Sequence, residues 1–382
     1  MARANIQRES AQMQSTASSM THAVAGEPWS SASTASTATL QSQWEGATLR
    51  LSLDGAPLQA WQFTPGVQPR LALAGTTPDH PLARAATFAA CEAALARTPA
   101  AEAIALDVPE ALAAAMLREG SAVRDAQGQL VSRVEQLWQL PALWHTGSSG
   151  RDFPLQYAMS AGKRHPLRAP KPTGQVYARH IPWLDQVFSM RVADLDADLQ
   201  CFHGWMNDPR VAVFWQEEGD LARHRDYLQA QLDDPHTIPL IGCLDGKPFA
   251  YFEVYWAREN RIGPYYDADD FDRGWHVLIG DGEIRGKAYI SAWLPSLMHY
   301  IFLDDPRTQR IVGEPRIDHV QQIRNLDRSG FAKVKAFDFP HKRAMLVMLL
   351  RERFFGERLW VPQEEAPAQA AAELAVLAAV AA

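Results

Sequence analysis

The residues best placed to do chemistry lie in one stretch, Gly274–Ala288, where a strand pattern is followed by a turn and the start of a helix. The apolar run Trp275–Ile279 has strand length and contains a single histidine, His276. Gly280–Gly282 breaks the run, and a long apolar segment then begins. A glycine at a helix start lets backbone N–H groups approach an anion, and the helix dipole favours negative charge there. The spacing therefore predicts a phosphate-bearing ligand beside a strand that displays a histidine, but it equally fits a buried strand, a tight turn and a core helix.

Length, charge and cysteine content narrow the class of protein. The chain has 382 residues, a formal net charge of −7 and 47% hydrophobic residues, which suits about two domains with ordinary cores. Without a basic surplus, we expect no nucleic-acid partner. The three cysteines have no disulfide or metal spacing, which favours a reducing compartment and no bound metal. Because the sequence has no membrane-spanning apolar run and no signal-peptide pattern, it predicts a cytoplasmic protein without a membrane partner.

Shifts in composition divide the chain into five segments. Residues 1–41 are rich in Ser, Thr, Ala and Gln, and we predict a disordered tail because they cannot bury enough surface to offset the entropy of ordering. Alternating and alanine-rich patterns predict an N-terminal α/β domain over 42–145. The proline-rich stretch HPLRAPKPTG predicts an extended connector over 146–182. The main domain follows over 183–358, and 359–382 is predicted to be an alanine-rich tail.

The apolar periodicity of the main domain predicts the order β-α-α-β-β-β-α-β-α-β-β. This order, with a phosphate-type turn between the fourth strand and the third helix, is similar to that of the GCN5-related acyltransferases. The runs GWHVLIGD, RGKA, FLDDPRTQRIVGEPRIDH, HPLRAPKPTGQVYAR and FHGWMNDPRVAVFWQE resemble the siderophore-biosynthesis acetyltransferases of the aerobactin N6-hydroxylysine acetyltransferase type. The resemblance covers roughly residues 165–355. It implies an α/β (α+β) fold, with a central mixed sheet flanked by helices and a smaller N-terminal α/β half-domain.

The resemblance also implies a reaction. An acetyl or other short acyl group would pass from acyl-CoA to the hydroxylamine nitrogen of an N-hydroxylated lysine, ornithine or diamine in hydroxamate siderophore biosynthesis. Functional links to an N-hydroxylating monooxygenase and a siderophore synthetase are implied as well. Two other functions stay open, an aminoglycoside-type or other small-amine N-acetyltransferase and a non-catalytic acyl-CoA-binding protein. An unmodified amine needs a stronger base and a more acidic cleft, so the histidine motif favours the hydroxylated acceptor.

Candidate site residues follow from the same motifs. His276 is expected to be a neutral imidazole that accepts the acceptor's proton, since a weakly basic hydroxylamine needs only a modest base. The resemblance implies that a carboxylate after the fifth strand pairs with His276. Glu314 and Asp318 both fit that role, although Asp318 could instead be an ordinary helix N-cap. Acyl-CoA is expected on Leu278, Ile279, Arg285, Gly286, Lys287 and Ala288. The acceptor is expected on Trp205, Asn207, Trp215 and Gln216.

Overall fold

The structure is a computed structural model of the chain, and it describes residues 19–24, 38–75, 82–146 and 153–362. These residues form two eight-stranded mixed sheets and a separate two-stranded hairpin between them. Within these ranges, the helices are all too short or too polar to cross a membrane.

The first sheet occupies the N-terminal part of the chain. Its strands are β1 (Ser19–Val24), β2 (Ala38–Glu45), β3 (Thr48–Leu53), β4 (Ala56–Thr64), β5 (Arg70–Ala74), β6 (Ala103–Asp107), β7 (Val123–Arg124) and β8 (Leu130–Arg133). Its helices are α1 (Ala83–Arg97), α2 (Glu110–Glu119) and α3 (Val134–Leu137). The strand order is β1-β2-β3-β4-β5-β6-β8-β7. The alanine-rich helix α1 is buried along most of its length against this sheet, because its small side chains allow close approach.

Two of these strands correct the prediction of a disordered tail over 1–41. Strand β1 pairs antiparallel with β2 from Ser19↔Gln43 to Val24↔Ala38, and Leu40 of β2 is fully buried. The prediction is wrong for these residues because amino-acid composition carries no information about the backbone hydrogen bonds that a neighbouring strand supplies. The other residues of that segment lie outside the described ranges.

The connector predicted over 146–182 contains β-structure. Strands β9 (Tyr157–Ser160) and β10 (Lys163–Pro166) form the separate hairpin. The proline-rich residues that follow lie across the main domain, where the Lys171 ammonium donates to the carbonyls of Gln231 and Asp234. Strand β11 (Gln175–Ile181) is already the first strand of the second sheet. The predicted end of the connector at residue 182 is therefore wrong, because the second sheet begins at Gln175.

The second sheet forms the rest of the described chain. Its further strands are β12 (Gln186–Val192), β13 (Thr237–Leu244), β14 (Lys247–Trp256), β15 (Arg273–Ile279), β16 (Arg310–Gly313), β17 (Ala332–Asp338) and β18 (Arg343–Leu350). Its helices are α4 (Leu195–Met206), α5 (Pro209–Trp215), α6 (Leu221–Asp233), α7 (Lys287–Asp304), α8 (Val320–Arg328) and α9 (Arg351–Gly356). The strand order is β11-β12-β13-β14-β15-β16-β18-β17. Strand β11 and helices α5 and α9 are additions to the predicted order.

The two sheets share one topology. Each has five antiparallel strands, then a helix (α1 or α7) leading to a parallel sixth strand, and then a final antiparallel pair. They differ after the second strand. Residues 46–47 alone join β2 to β3, whereas residues 193–236 separate β12 from β13 and carry α4, α5 and α6. These three helices give the second sheet a wall with no counterpart in the described part of the first unit.

The second sheet opens between its two central parallel strands. Strand β15 pairs with β14 along its length, from Trp256↔Arg273 to Ala250↔Ile279. It pairs with β16 only at Arg273↔Ile311 and Gly274↔Val312. Beyond Gly274 the strands separate, so the remaining residues of β15 border an open space rather than a neighbouring strand.

Stacked aromatic rings join the two units. The Trp138 ring centroid lies 4.5 Å from that of Trp144 and 4.5 Å from that of Trp360. His299 of α7 donates from Nε2 to the Trp138 carbonyl at 2.6 Å, and its burial lowers the pKa to about 3, so the ring is neutral. Trp360 is 1% exposed. The prediction of a tail from residue 359 is therefore wrong for Leu359 and Trp360, which belong to the core.

Candidate active site

A large cleft lies where β15 and β16 separate. Its volume is about 1360 Å³, and its walls come from β14, β15, α5, α6, the start of α7, and α8. Phe214 of α5 stacks on His319 at the start of α8, with ring centroids 4.2 Å apart, so the two walls touch at this point. A space of this size suits a large small-molecule ligand or two ligands side by side.

His276 lies on β15 between two carboxylates. Its Nδ1 is 2.7 Å from Glu253 Oε2, and its Nε2 is 3.0 Å from Glu314 Oε1. Glu253 is the residue directly opposite His276 on β14, and Glu314 directly follows β16. Both carboxylates are almost fully buried, whereas the His276 side chain is 23% exposed. The strand register thus presents one accessible imidazole with a buried acid on each side.

This arrangement makes the imidazole a cation at neutral pH. Burial alone would lower the pKa of His276, but the negative charges and hydrogen bonds of Glu314 and Glu253 outweigh it and raise the pKa to about 9. Burial would raise the pKa of Glu314, yet the charge of His276 and its hydrogen bond hold that pKa well below its usual range. The expectation of a neutral resting imidazole is therefore wrong, because sequence spacing did not reveal two carboxylates on one ring.

Tyrosines complete the environment of Glu253. Its Oε1 accepts hydrogen bonds from the Tyr227 hydroxyl at 2.6 Å and the Tyr251 hydroxyl at 3.1 Å. Burial would raise the pKa of Glu253, but the hydrogen bond and charge of His276, together with these two tyrosine hydrogen bonds, outweigh it and lower the pKa. Glu253 is therefore a satisfied buried anion rather than a stranded charge.

Glu314 has a more cationic environment. Tyr255 donates to its Oε2 at 2.9 Å, and Arg261 Nη2 donates to its Oε1 at 3.1 Å. The Lys342 ammonium donates to its backbone carbonyl at 2.9 Å and lies 3.8 Å from Oε1. Arg261 Nη2 is also 3.3 Å from His276 Nε2. Two cationic side chains thus converge on the same carboxylate as the imidazolium.

Asp318, the other candidate partner of His276, lies elsewhere. Its side chain is 62% exposed and forms an ion pair with Arg316 at 2.6 Å. The N-cap of α8 is His319, whose side chain accepts from the Gln322 N–H. Neither proposed role of Asp318 is realised, because its neighbour Arg316 holds its carboxylate at the surface.

The turn after β15 forms a helix N-terminus at the cleft. Helix α7 begins after Gly286, which caps it with φ of 88° and ψ of 179°, a conformation open to glycine alone. Five of the six residues predicted to bind acyl-CoA line the cleft, namely Leu278, Ile279, Arg285, Gly286 and Lys287. The sixth, Ala288, is exposed, and its carbonyl accepts from the Trp183 indole. The turn therefore has the geometry of an anion site on the wall of the cleft.

Only one of the four predicted acceptor-side residues reaches the cleft wall. Trp215 donates from Nε1 to the Val277 carbonyl at 3.1 Å and places its ring centroid 6.3 Å from that of His276. Trp205 packs beneath Gly280, where an added Cβ would lie 2.2 Å from its ring. Asn207 pairs with the backbone of residue 219, and Gln216 ends α5 in a left-handed conformation with an exposed side chain. Those three residues shape the wall instead of lining it.

Four residues near His276 escaped the sequence-based prediction: Glu253, Tyr227, Arg261 and Lys342. Glu253 left a signal, since it is the single acid in the apolar run FAYFEVYW of β14. Such a charge is costly to bury and usually has a partner or a function. The other three left none, because they lie on separate elements that only the folded chain brings together.

A second cluster of metal-ligating side chains lies outside the cleft, at the connector. One ligating atom from each of His165, His236 and Glu259 lies within 4.8 Å of the others. Arg168 already engages both carboxylate oxygens of Glu259, at 2.6 and 2.9 Å. The cluster therefore acts as a buried ion pair that fixes the connector to the main domain.

Comparison with known proteins places the chain in a family. Residues 194–339 match the family model described as an acetyltransferase (GNAT) domain. An N(6)-hydroxylysine O-acetyltransferase of Escherichia coli is 42% identical over 232 residues, which cover 60% of this chain and 73% of that protein. An N(5)-hydroxyornithine:cis-anhydromevalonyl coenzyme A-N(5)-transacylase of Beauveria bassiana is 48% identical over 195 residues, covering 50% of this chain and 43% of that protein. Among solved structures, an uncharacterised protein of Bacillus halodurans is 29% identical with a TM-score of 0.47, covering 50% of this chain and 96% of that one.

The chain therefore belongs to the GNAT acetyltransferase family and is related to the acyltransferases of hydroxamate siderophore biosynthesis. The predicted α/β fold of GCN5-related type is confirmed by the same match. Family membership also supports an acyl-CoA as the co-substrate. The relatives' names specify small N-hydroxylated amines as their acceptors, and they differ in the atom that is acylated.

Proposed function

We propose that the protein transfers an acetyl or other short acyl group from acyl-CoA to the hydroxylamine nitrogen of an N-hydroxylated lysine, ornithine or diamine, giving a hydroxamate for siderophore assembly. The observation that carries this proposal is the partly exposed imidazole of His276, held between Glu253 and Glu314 in a cleft that a helix N-terminus also lines. An N-hydroxylating monooxygenase would supply the acceptor, and a siderophore synthetase would consume the product. A cytoplasmic location follows from this reaction, because acyl-CoA is an intracellular metabolite.

The donor site of the proposal is the turn between β15 and α7. Gly286 and Lys287, at the start of an 18-residue helix, line the cleft, and the side chains of Arg285 and Lys287 add positive charge. Both features favour the pyrophosphate of an acyl-CoA. The thioester would then lie along β15 beyond Gly274, where the strand has no partner on the β16 side.

The proton chemistry starts from a charged His276. A neutral hydroxylamine nitrogen attacks the thioester carbonyl, so the C–N bond forms without prior removal of a proton. His276 then gives a proton to the sulfur as the C–S bond breaks, and the resulting neutral imidazole takes the proton from the acylated nitrogen. One proton passes from nitrogen to sulfur overall, and the two carboxylates stabilise the imidazolium at the beginning and end of the cycle.

A thiol-release assay with acetyl-CoA tests the function. The acceptors are N6-hydroxylysine, N5-hydroxyornithine and N-hydroxycadaverine, each beside its unhydroxylated parent amine. We expect CoA release with at least one hydroxylated acceptor, and a product that forms the coloured ferric complex of a hydroxamate. Faster turnover of the parent amines or of an aminoglycoside would favour the small-amine N-acetyltransferase instead. Binding of acetyl-CoA without turnover of any acceptor would favour a non-catalytic acyl-CoA-binding protein.

The substitution Gly286→Val tests the donor site. Valine cannot adopt the positive φ of this position without strain, and its side chain would stand between the helix N-terminus and a phosphate. We expect the Kd for CoA to rise at least about tenfold, the loss expected when backbone donors move away from an anion. Calorimetric titration with CoA measures this change. Gly204→Val in α4 is the matched control, since an added Cβ there meets nothing within 4 Å. Unchanged CoA affinity in a folded Gly286→Val protein would contradict the assignment.

A further inference from the structure

The charges around His276 do not balance. Two carboxylates, Glu253 and Glu314, meet three cationic groups, namely the His276 imidazolium, Arg261 and Lys342. The reacting position therefore carries one surplus positive charge, although the whole chain has a formal net charge of −7. This inference rests on the function proposed above and concerns how the same site selects its acceptor.

Glu314 does not require Arg261 for its stabilisation as a buried anion. Glu314 already accepts a hydrogen bond from Tyr255 and contacts His276. The Arg261 side chain is 49% exposed at the cleft, and its Nη2 reaches both Glu314 and His276 Nε2. Its guanidinium therefore projects positive charge into the space that a nucleophile must enter to approach the imidazole.

The pKa values of nearby titratable groups are lowered by the same positive charges. Burial lowers the pKa of His341, and the charges of Arg261 and Lys342 lower it further. Burial also lowers the pKa of Lys342, and Arg261 and Arg316 add to that effect while Glu314 opposes it. The fixed charge is therefore chiefly that of Arg261, whose guanidinium stays protonated at any working pH.

The two possible acceptors differ in charge where this field acts. An alkylamine such as the lysine side chain has a pKa of about 10.4, so only about one molecule in a thousand is neutral near pH 7.4. A hydroxylamine is far less basic and is mostly neutral at that pH. A cationic site repels the ammonium form but not the neutral hydroxylamine, because unlike the ammonium the hydroxylamine carries no charge.

We propose that Arg261, supported by Lys342, makes the protein specific for N-hydroxylated amines by repelling the protonated form of ordinary amines from the reacting position. A distant ammonium on the same acceptor is not affected in this way. Glu217 and Asp234 also line the cleft, and their negative charges would attract such a group.

The experiment measures kcat/KM for N6-hydroxylysine and for lysine by thiol release with saturating acetyl-CoA. The wild-type protein is compared with Arg261→Gln, Lys342→Gln and Arg261→Lys. Arg343→Gln is the matched control, because Arg343 is the neighbour of Lys342, is exposed and lies outside the cleft lining. Thermal melting verifies that each variant is folded.

We expect the ratio of kcat/KM for the hydroxylated to the parent amine to fall at least about tenfold in Arg261→Gln, as expected for loss of a unit charge near the nucleophile. Lys342→Gln should show a smaller fall, and Arg261→Lys and Arg343→Gln should keep the wild-type ratio. An equal fall in kcat/KM for both acceptors would show that the cations act on a charge common to both reactions, and would overturn the proposal. Lysine turnover that stays undetectable in both charge-removing variants would overturn it as well. Failure of the proposed function is a separate result, since the wild-type protein would then turn over no hydroxylated acceptor.

Discussion

Replacing His276 with alanine should lower kcat by about 10²- to 10⁴-fold, the usual contribution of a positioned acid or base. The Kd for acyl-CoA should stay nearly unchanged, because the helix N-terminus at Gly286 forms independently of this side chain. The alanine variant also leaves Glu253 and Glu314 facing each other without the cation between them, so stability should fall too. Single-turnover kinetics on protein that is folded at the assay temperature separate the two effects.

Two further variants keep this prediction falsifiable. His276→Gln can donate a hydrogen bond to one of the carboxylates but cannot transfer a proton, so it should be better folded and equally slow. Asp318→Asn changes a carboxylate that is exposed and paired with Arg316, so it should retain wild-type turnover and stability. Full activity of both His276 variants would eliminate the histidine from the chemistry and leave positioning of a neutral nucleophile as the source of catalysis.

Glu314→Gln should produce the second largest loss. This change removes the buried negative charge that raises the pKa of His276 and that pairs with Arg261 and Lys342. We expect kcat to fall by about 10²-fold, within the range for acid–base groups, and the pKa of His276 to drop by at least about one unit. The pH profile of kcat measures both effects, with the basic limb moving to lower pH.

Tyr255→Phe is the matched control for Glu314→Gln. It removes one hydrogen bond to the same carboxylate but keeps the charge, so the basic limb should move little. If Glu314→Gln changes neither kcat nor the pH at which the basic limb of the profile begins, Glu253 alone must stabilise the imidazolium. If Tyr255→Phe moves the limb as far as Glu314→Gln does, the hydrogen bond and not the charge sets the pKa.

The central motif was predictable because its parts are close in sequence. A strand, a glycine turn and a helix start follow one another within Gly274–Ala288, so local periodicity and turn chemistry place His276 and Gly286 correctly. Glu314 could also be predicted, since it is the last residue of a predicted strand. The choice between Glu314 and Asp318 was not, because it depends on Arg316, which takes Asp318 as its partner at the surface.

The rest of the site depends on contacts between distant segments. Glu253 meets His276 only through the antiparallel register of β14 and β15, and a shift of one residue would turn it to the other face. Arg261 arrives from the loop after β14, and Lys342 arrives just before β18. The charge of the imidazole follows from these contacts, so the sequence alone could indicate the histidine but not its protonation state.

The most direct test of the account is the pH dependence of kcat/KM for an N-hydroxylated acceptor between about pH 6.5 and pH 10.5. Because the pKa of His276 is raised to about 9, the ring is protonated below that pH and loses its proton above it. An acid that must donate to the sulfur is lost on deprotonation, so the rate should be level up to about pH 9 and then fall about tenfold per pH unit. The His276→Gln variant should lack this limb. A rate that instead rises through pH 9 in the wild-type protein, and not in the variant, would contradict the account and make the unprotonated imidazole the working form.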